Sequence, residues 1–177
     1  MGIETVSAAD AVNRLTRWRD DFPSPGVRFA DLTPVFADPQ GLRAVIDGLA
    51  AAAPDADLVA GIDARGFLLG AGVAVSMNRG VLAVRKGGKL PPPVLSRDYE
   101  LEYGSARLEI PGDFDLRGRR VLLVDDVLAT GGTLAAATEL LNAAGAEITA
   151  VAVVLELMAL NGRARAGDYP LTSLVQI

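Results

Sequence analysis

The stretch from Val121 to Thr133, Val-Leu-Leu-Val-Asp-Asp-Val-Leu-Ala-Thr-Gly-Gly-Thr, constrains this chain most. It runs a continuous apolar segment into two acids, a small-residue loop and a new helical pattern. A strand that is apolar on both faces needs cover on both faces, which places it inside a parallel sheet with helices on either side. Its loop then leaves the carboxyl edge of the sheet, where open α/β sheets bind ligands. Thr130, Gly131 and Gly132 permit close backbone approach, and a helix from about Thr133 to Ala144 would aim its free N–H groups and positive dipole end at the loop. A phosphate dianion suits that position. Asp125 and Asp126 come just before it, where they make poor phosphate ligands but good acceptors for sugar hydroxyls one step away. An ordinary acidic turn or the phosphoacceptor pocket of a receiver domain would also put two acids after an apolar strand. Here the acids follow a late strand, and Ala-Thr-Gly-Gly-Thr follows at once, which favours a sugar phosphate.

The bulk numbers narrow the chemistry. At 177 residues the chain is expected to form one domain with a substantial core. Half of it is hydrophobic, yet charges and glycines interrupt every apolar run before the roughly 20 residues that would span a bilayer. The start, Met-Gly-Ile-Glu-Thr-Val-Ser, lacks the pattern of a signal peptide, and there is no cysteine, so a cytoplasmic location and no membrane partner are expected. With 17 basic and 22 acidic residues the net charge is −5, which disfavours nonspecific nucleic-acid binding and makes any anion site local. The absence of histidine and cysteine excludes their nucleophiles, histidine general bases and the usual structural zinc sites. Acid-base work falls to carboxylates, lysines or tyrosines.

Taken in order, Ser7 and Asp10 open a helix whose apolar stripe is Val12, Leu15 and Trp18. The next stretch, Asp21 to Pro34, has too much proline for a helix and too many apolar residues for a solvated linker, so Phe22, Val27 and Phe29 are expected to be covered. Asp38-Pro39 starts a helix through Leu49, closed by Pro54. Leu58 to Ile62 reads as a buried strand leading into Asp63-Ala-Arg-Gly-Phe67 and a small-residue helix to about Met77. Arg65, between strand end and helix start, is placed either to clamp a phosphate or to form a surface ion pair. A strand from Val81 to Val84 runs into Arg85-Lys-Gly-Gly-Lys89, a solvated face or a mobile anion clamp. Val94 to Ile110 alternates as a hairpin, with Asp98, Glu100 and Glu102 on one face and Tyr99, Leu101 and Tyr103 on the other; it has the composition of a lid. Glu147 to Leu157 and Leu171 to Ile177 read as further strands, joined by a polar connection, Asn161-Gly-Arg-Ala-Arg, with helical potential. The order of elements is that of an α/β domain with a parallel core and a small hood.

The phosphate-loop motif resembles that of the type I phosphoribosyltransferases. Together with Asp21-Phe-Pro-Ser-Pro-Gly-Val-Arg-Phe-Ala-Asp-Leu-Thr-Pro, Ala-Arg-Gly-Phe, Arg-Lys-Gly-Gly-Lys-Leu-Pro and Leu-Glu-Tyr-Gly, it resembles the adenine branch of that family, in the family's order over nearly the whole chain. The resemblance implies a mostly parallel twisted sheet flanked by helices. It implies one domain over residues 1–177, with 1–35 contributing a base-binding hood and about 86–107 a flexible lid. The implied reaction is a glycosyl (pentosyl) transfer in purine salvage: adenine and phosphoribosyl pyrophosphate give AMP and pyrophosphate, with Mg2+ carried by the substrate and no direct metal ligand from the protein.

By position, the resemblance implies that Ala129, Thr130, Gly131, Gly132 and Thr133 hold the 5′-phosphate, and Asp125 and Asp126 the ribose hydroxyls. Arg65, Lys86 and Lys89 would hold pyrophosphate beside a cis peptide between Asp63 and Ala64. Phe29 would stack on adenine, Val127 would pack near its other face, and the backbone of Arg28 and Ala30 would read its edge. Glu102, on the lid with Tyr103, would act on adenine N7. A homodimer is implied as well. The rivals are a transferase for hypoxanthine, guanine or xanthine, and a non-catalytic regulator that binds phosphoribosyl pyrophosphate as a signal; the negative charge and the Arg65, Lys86, Lys89 and Glu102 set argue against the regulator.

Overall fold

The computed structural model describes residues 6–100 and 105–177. Ser7 caps the first helix, α1 (Ala8–Leu15), its hydroxyl accepting the Asp10 N–H at 3.1 Å. Thr16 turns to extended backbone, so Trp18 leaves the expected helical stripe and lies on a short strand, β1 (Arg17–Arg19), paired antiparallel with β2 (Phe29–Asp31). The proline-rich stretch between them is less covered than expected: Phe22 is 54% exposed, Val27 is also exposed, and only Phe29 of the three is half-buried. Phe22 meets Phe29 edge-on, with 5.1 Å between ring centroids, so the aromatics support each other where core is lacking. A short helix not foreseen, α2 (Thr33–Ala37), follows, with Pro34 in its first turn, where a missing N–H costs nothing. In α3 (Pro39–Ala50) the Asp38 side chain accepts the Gly41 N–H at 2.7 Å, the cap its position suggests.

The main sheet begins with β3 (Leu58–Ile62), followed by α4 (Arg65–Ser76) and β4 (Gly80–Lys86); the last runs past Val84 and takes Arg85 and Lys86 into the strand. The hairpin is β5 (Val94–Glu100) and β6 (Ser105–Pro111), and β6 pairs with the end of β4, so it extends the sheet. Then come β7 (Arg120–Leu128), α5 (Gly132–Ala143), β8 (Glu147–Glu156), two short 3-10 turns (Met158–Leu160 and Gly162–Ala164) and β9 (Leu171–Gln176).

The strand order is β5-β6-β4-β3-β7-β8-β9, with β4, β3, β7, β8 and β9 mutually parallel and the hairpin antiparallel. This is an α/β fold with a mostly parallel sheet. Alternation along β7 feeds two cores, as a doubly covered strand requires: Val121 and Leu123 pack with Leu134 and Leu141 of α5, while Leu122 and Val124 pack with Leu49 of α3 and Val73 of α4. The carboxyl ends of β3 and β7 therefore lie side by side, each opening into a helix.

Candidate active site

At the first of these junctions the Asp63–Ala64 peptide is cis and Arg65 begins α4. At the second, β7 stays extended through Asp125 and Asp126 to Leu128, which puts both acids on the strand end ahead of the loop. Because β3 and β7 are paired, the two junctions meet: Arg65 Nε lies 2.6 Å from Asp126 Oδ2. Asp126 is only 7% exposed, and this oxygen receives no aligned hydrogen bond despite the ion pair, so it retains acceptor capacity. Asp125 Oδ1 accepts the Asp126 N–H at 2.9 Å. Burial, and then the neighbouring Asp126 charge, push the Asp125 carboxyl well above the usual carboxylate range.

Beyond β7, Gly131 takes the left-handed conformation, φ +82°, and caps α5 without a side-chain hydrogen bond. Ala135 is the first helical residue whose N–H finds an acceptor, the Gly131 carbonyl at 3.0 Å; those of Gly132, Thr133 and Leu134 have none among the described residues. Three free donors at the positive end of a helix, on a loop of small residues, form an anion seat.

Phe29 stands on the other side of Arg65, whose guanidinium carbon is 5.4 Å from the ring centroid. Phe29, Arg65 and Asp126 thus form one contiguous line from β2 to the edge of the main sheet. Among the described residues β2 has a strand partner on one edge only, which leaves the backbone of its other edge without a strand partner. The Arg28 side chain is engaged elsewhere, 4.5 Å over the Trp18 ring and 3.6 Å from Asp20. Ala30 is buried, and Val127 is half-buried against the core beneath.

Asp63 ties the basic segment to the same edge. Its N–H donates to the Val84 carbonyl, and its carboxylate accepts the Lys86 N–H at 3.3 Å. The Lys89 carbonyl accepts from Arg85 Nη1 at 3.4 Å. Arg85, which sequence alone does not single out, has its Nε buried without a hydrogen-bond partner, 4.0 Å from Asp63 Oδ2. Its place in the Arg-Lys-Gly-Gly-Lys cluster was the available signal. Glu102 and Tyr103 lie outside the described residues. Among the described residues no three acids gather as a protein metal site, and no helix is long and apolar enough to cross a membrane.

The family model for the phosphoribosyl transferase domain matches residues 36–176. The chain is 74% identical over 174 residues to a protein of Nocardia farcinica named adenine phosphoribosyltransferase, covering 98% of this chain and 91% of that one. Among solved structures, it superposes with a TM-score of 0.89 on adenine phosphoribosyltransferase from Thermoanaerobacter pseudethanolicus, at 42% identity over 94% of this chain and 98% of that one. It superposes with a TM-score of 0.91 on the Giardia lamblia enzyme complexed with 9-deazaadenine, at 39% identity over 98% of this chain and 99% of that one.

Proposed function

The chain belongs to the phosphoribosyl transferase domain family, and from that premise we propose that it is a pentosyltransferase joining adenine to phosphoribosyl pyrophosphate, giving AMP and pyrophosphate in purine salvage. The observation that carries this reading is the line from Phe29 through Arg65 to Asp126, on the strand that leads into the free N–H groups of Gly132, Thr133 and Leu134. An aromatic shelf, buried sugar acceptors and an anion seat stand in the order base, ribose, phosphate.

In this reading the loop holds the 5′-phosphate by backbone donors, while Asp125 and Asp126 accept the ribose hydroxyls. Hydroxyls donating to Asp126 would take the place of Arg65 there and release the guanidinium toward pyrophosphate, with Lys86 and Lys89 beside it. Breaking the bond from C1 to pyrophosphate builds an oxocarbenium-like cation and a highly charged leaving group, so fixed cations on the leaving side stabilise the transition state. The acid pair, with one Asp126 oxygen short of a donor, would anchor the ribose hydroxyls, and a magnesium ion carried in with the substrate would neutralise leaving-group charge. Adenine N9 attacks while Glu102 accepts or shares the proton at N7, and Tyr103 and the rest of the 86–107 lid exclude water. Phe29 stacks on the base, with Val127 near its other face and the Arg28 and Ala30 backbone at its edge.

The same reading takes residues 1–35 as the hood of a single domain in a cytoplasmic enzyme, and a second copy of the chain as its partner. Support for that partner is the outer face of α4, where Leu68 is 64% and Val75, two turns on, 80% exposed. Calorimetric titration with phosphoribosyl pyrophosphate and Mg2+ tests the site. Asp126→Asn should bind about tenfold or more weakly, the scale of a lost hydrogen bond to a charged group, whereas binding equal to the parent's would remove the ribose role.

A further inference from the structure

The connection Asn161-Gly-Arg-Ala-Arg165 takes no part in the site as read from sequence, yet it is the back wall of the phosphate loop. A Cβ built on Gly131 would run into the Gly162 carbonyl oxygen, and one built on Gly162 would run into the Ala129 carbonyl oxygen. The two backbones are therefore in direct contact. The wall is anchored from behind: Arg163 Nε donates to Glu156 Oε1 at 3.0 Å, and Glu156, buried at the end of β8, also accepts from Ser173 and Gln176 of β9.

Arg165 projects from this wall over the first turn of α5. A Cβ on Gly132 would stand 3.7 Å from both Cζ and Nη1 of Arg165, and 3.5 Å from the carbonyl oxygen of Glu100, the last residue of β5. Among the described residues no carboxylate forms an ion pair with it. A guanidinium at a helix N-terminus, beside N–H groups that have no acceptor, is held against the helix dipole. An anion seated on those N–H groups reverses the sign of that interaction.

We propose that Arg165 is a ligand of the 5′-phosphate, adding a charged arm to the backbone donors of the 129–133 loop. The inference rests on the reading of that loop as the phosphate seat. Its chemistry is specific to a dianion attached to the sugar, as distinct from the pyrophosphate gripped at the Arg65 side.

The test measures ribose 5-phosphate and pyrophosphate binding separately by calorimetry, with thermal unfolding of the ligand-free proteins, for the parent, Arg165→Ala, Arg165→Lys and Gly131→Ala. Arg165→Ala should bind ribose 5-phosphate about tenfold or more weakly, the scale of a charge-assisted hydrogen bond, with pyrophosphate affinity within about twofold of the parent. Its ligand-free melting temperature should equal or exceed the parent's, and Arg165→Lys should recover part of the affinity. Unchanged ribose 5-phosphate affinity in Arg165→Ala, with Gly131→Ala impaired, overturns the inference and leaves the loop reading standing. Unchanged affinity in both variants overturns the two together. A lower melting temperature with both ligands equally weakened would make Arg165 a structural residue and also overturn it.

Discussion

Replacing Gly131 by alanine adds a single methyl group at the point where two backbones touch. The residue has φ +82°, which costs an L side chain about 1–2 kcal/mol. The added Cβ would also collide with the Gly162 carbonyl oxygen and stand 3.0 Å from the Gly162 carbonyl carbon and 3.2 Å from Arg165 Cβ. Overpacking of this kind costs about 1–3 kcal/mol. Together the two terms give roughly 2–5 kcal/mol, a fall in melting temperature of about 4–20 °C at roughly 2–4 °C per kcal/mol for a chain of this size. Gly118→Ala is the internal control: φ is +69°, but nothing lies within 4 Å of the added Cβ, so only the conformational cost applies. The difference between the two variants, read by scanning calorimetry, isolates the collision. AMP affinity should fall in Gly131→Ala by about tenfold or more as a backbone donor is moved off the phosphate, and stay level in Gly118→Ala. Equal melting temperatures for the two variants, with AMP bound as tightly as by the parent, would refute both the close approach and the seat built on it.

Further outcomes follow from the acids and the base shelf. Asp125→Asn removes a carboxyl whose raised folded pKa means that its contribution to stability is present below the unfolded value and lost as pH rises through the folded one; the variant should therefore melt higher than the parent at neutral pH, with the gap closing on acidification, while binding phosphoribosyl pyrophosphate more weakly. A parent that melts higher at neutral pH would contradict the crowding of that pair. Glu102→Gln should lower turnover by about a hundredfold or more, the scale of general acid-base catalysis, with the melting temperature unchanged; full activity would return Glu102 to a solvated hairpin face. Arg28→Ala should keep the preference for adenine over hypoxanthine, since its side chain is committed to Trp18 and Asp20, and two mismatched backbone groups at about 1–3 kcal/mol each suffice to discriminate. Phe29→Ala should weaken both bases, and a relaxed preference in Arg28→Ala would make the guanidinium the reader.

Much of the sheet edge was legible because its signals are local. An uninterrupted apolar run followed by Asp-Asp and Gly-Gly can be read within a dozen residues, and β7 and α5 fall where that reading put them. The hairpin was legible for the same reason, since alternation is a nearest-neighbour pattern. The segment around β1 and β2 was harder. Trp18 continues the α1 stripe in sequence, but its partner in the pairing is Ala30, and a strand that exists only through a distant mate leaves no periodic trace. Phe22 and Val27 looked like core by residue type, while their exposure is set by the proline-rich path around them. The Arg65–Asp126 pair and the Arg165 arm were beyond reach for a related reason: each is made by strand order or chain return, which bring together positions no spacing connects.

The most direct test of the account is the initial rate of AMP formation from radiolabelled adenine and phosphoribosyl pyrophosphate with Mg2+, beside equal concentrations of hypoxanthine and guanine. AMP and pyrophosphate should form in equal amounts, depend on Mg2+, and outpace the products of the other bases by about two to four powers of ten, as two unpaired buried polar groups require. Faster turnover of hypoxanthine or guanine, or tight binding of phosphoribosyl pyrophosphate with no transfer to any base, would contradict it.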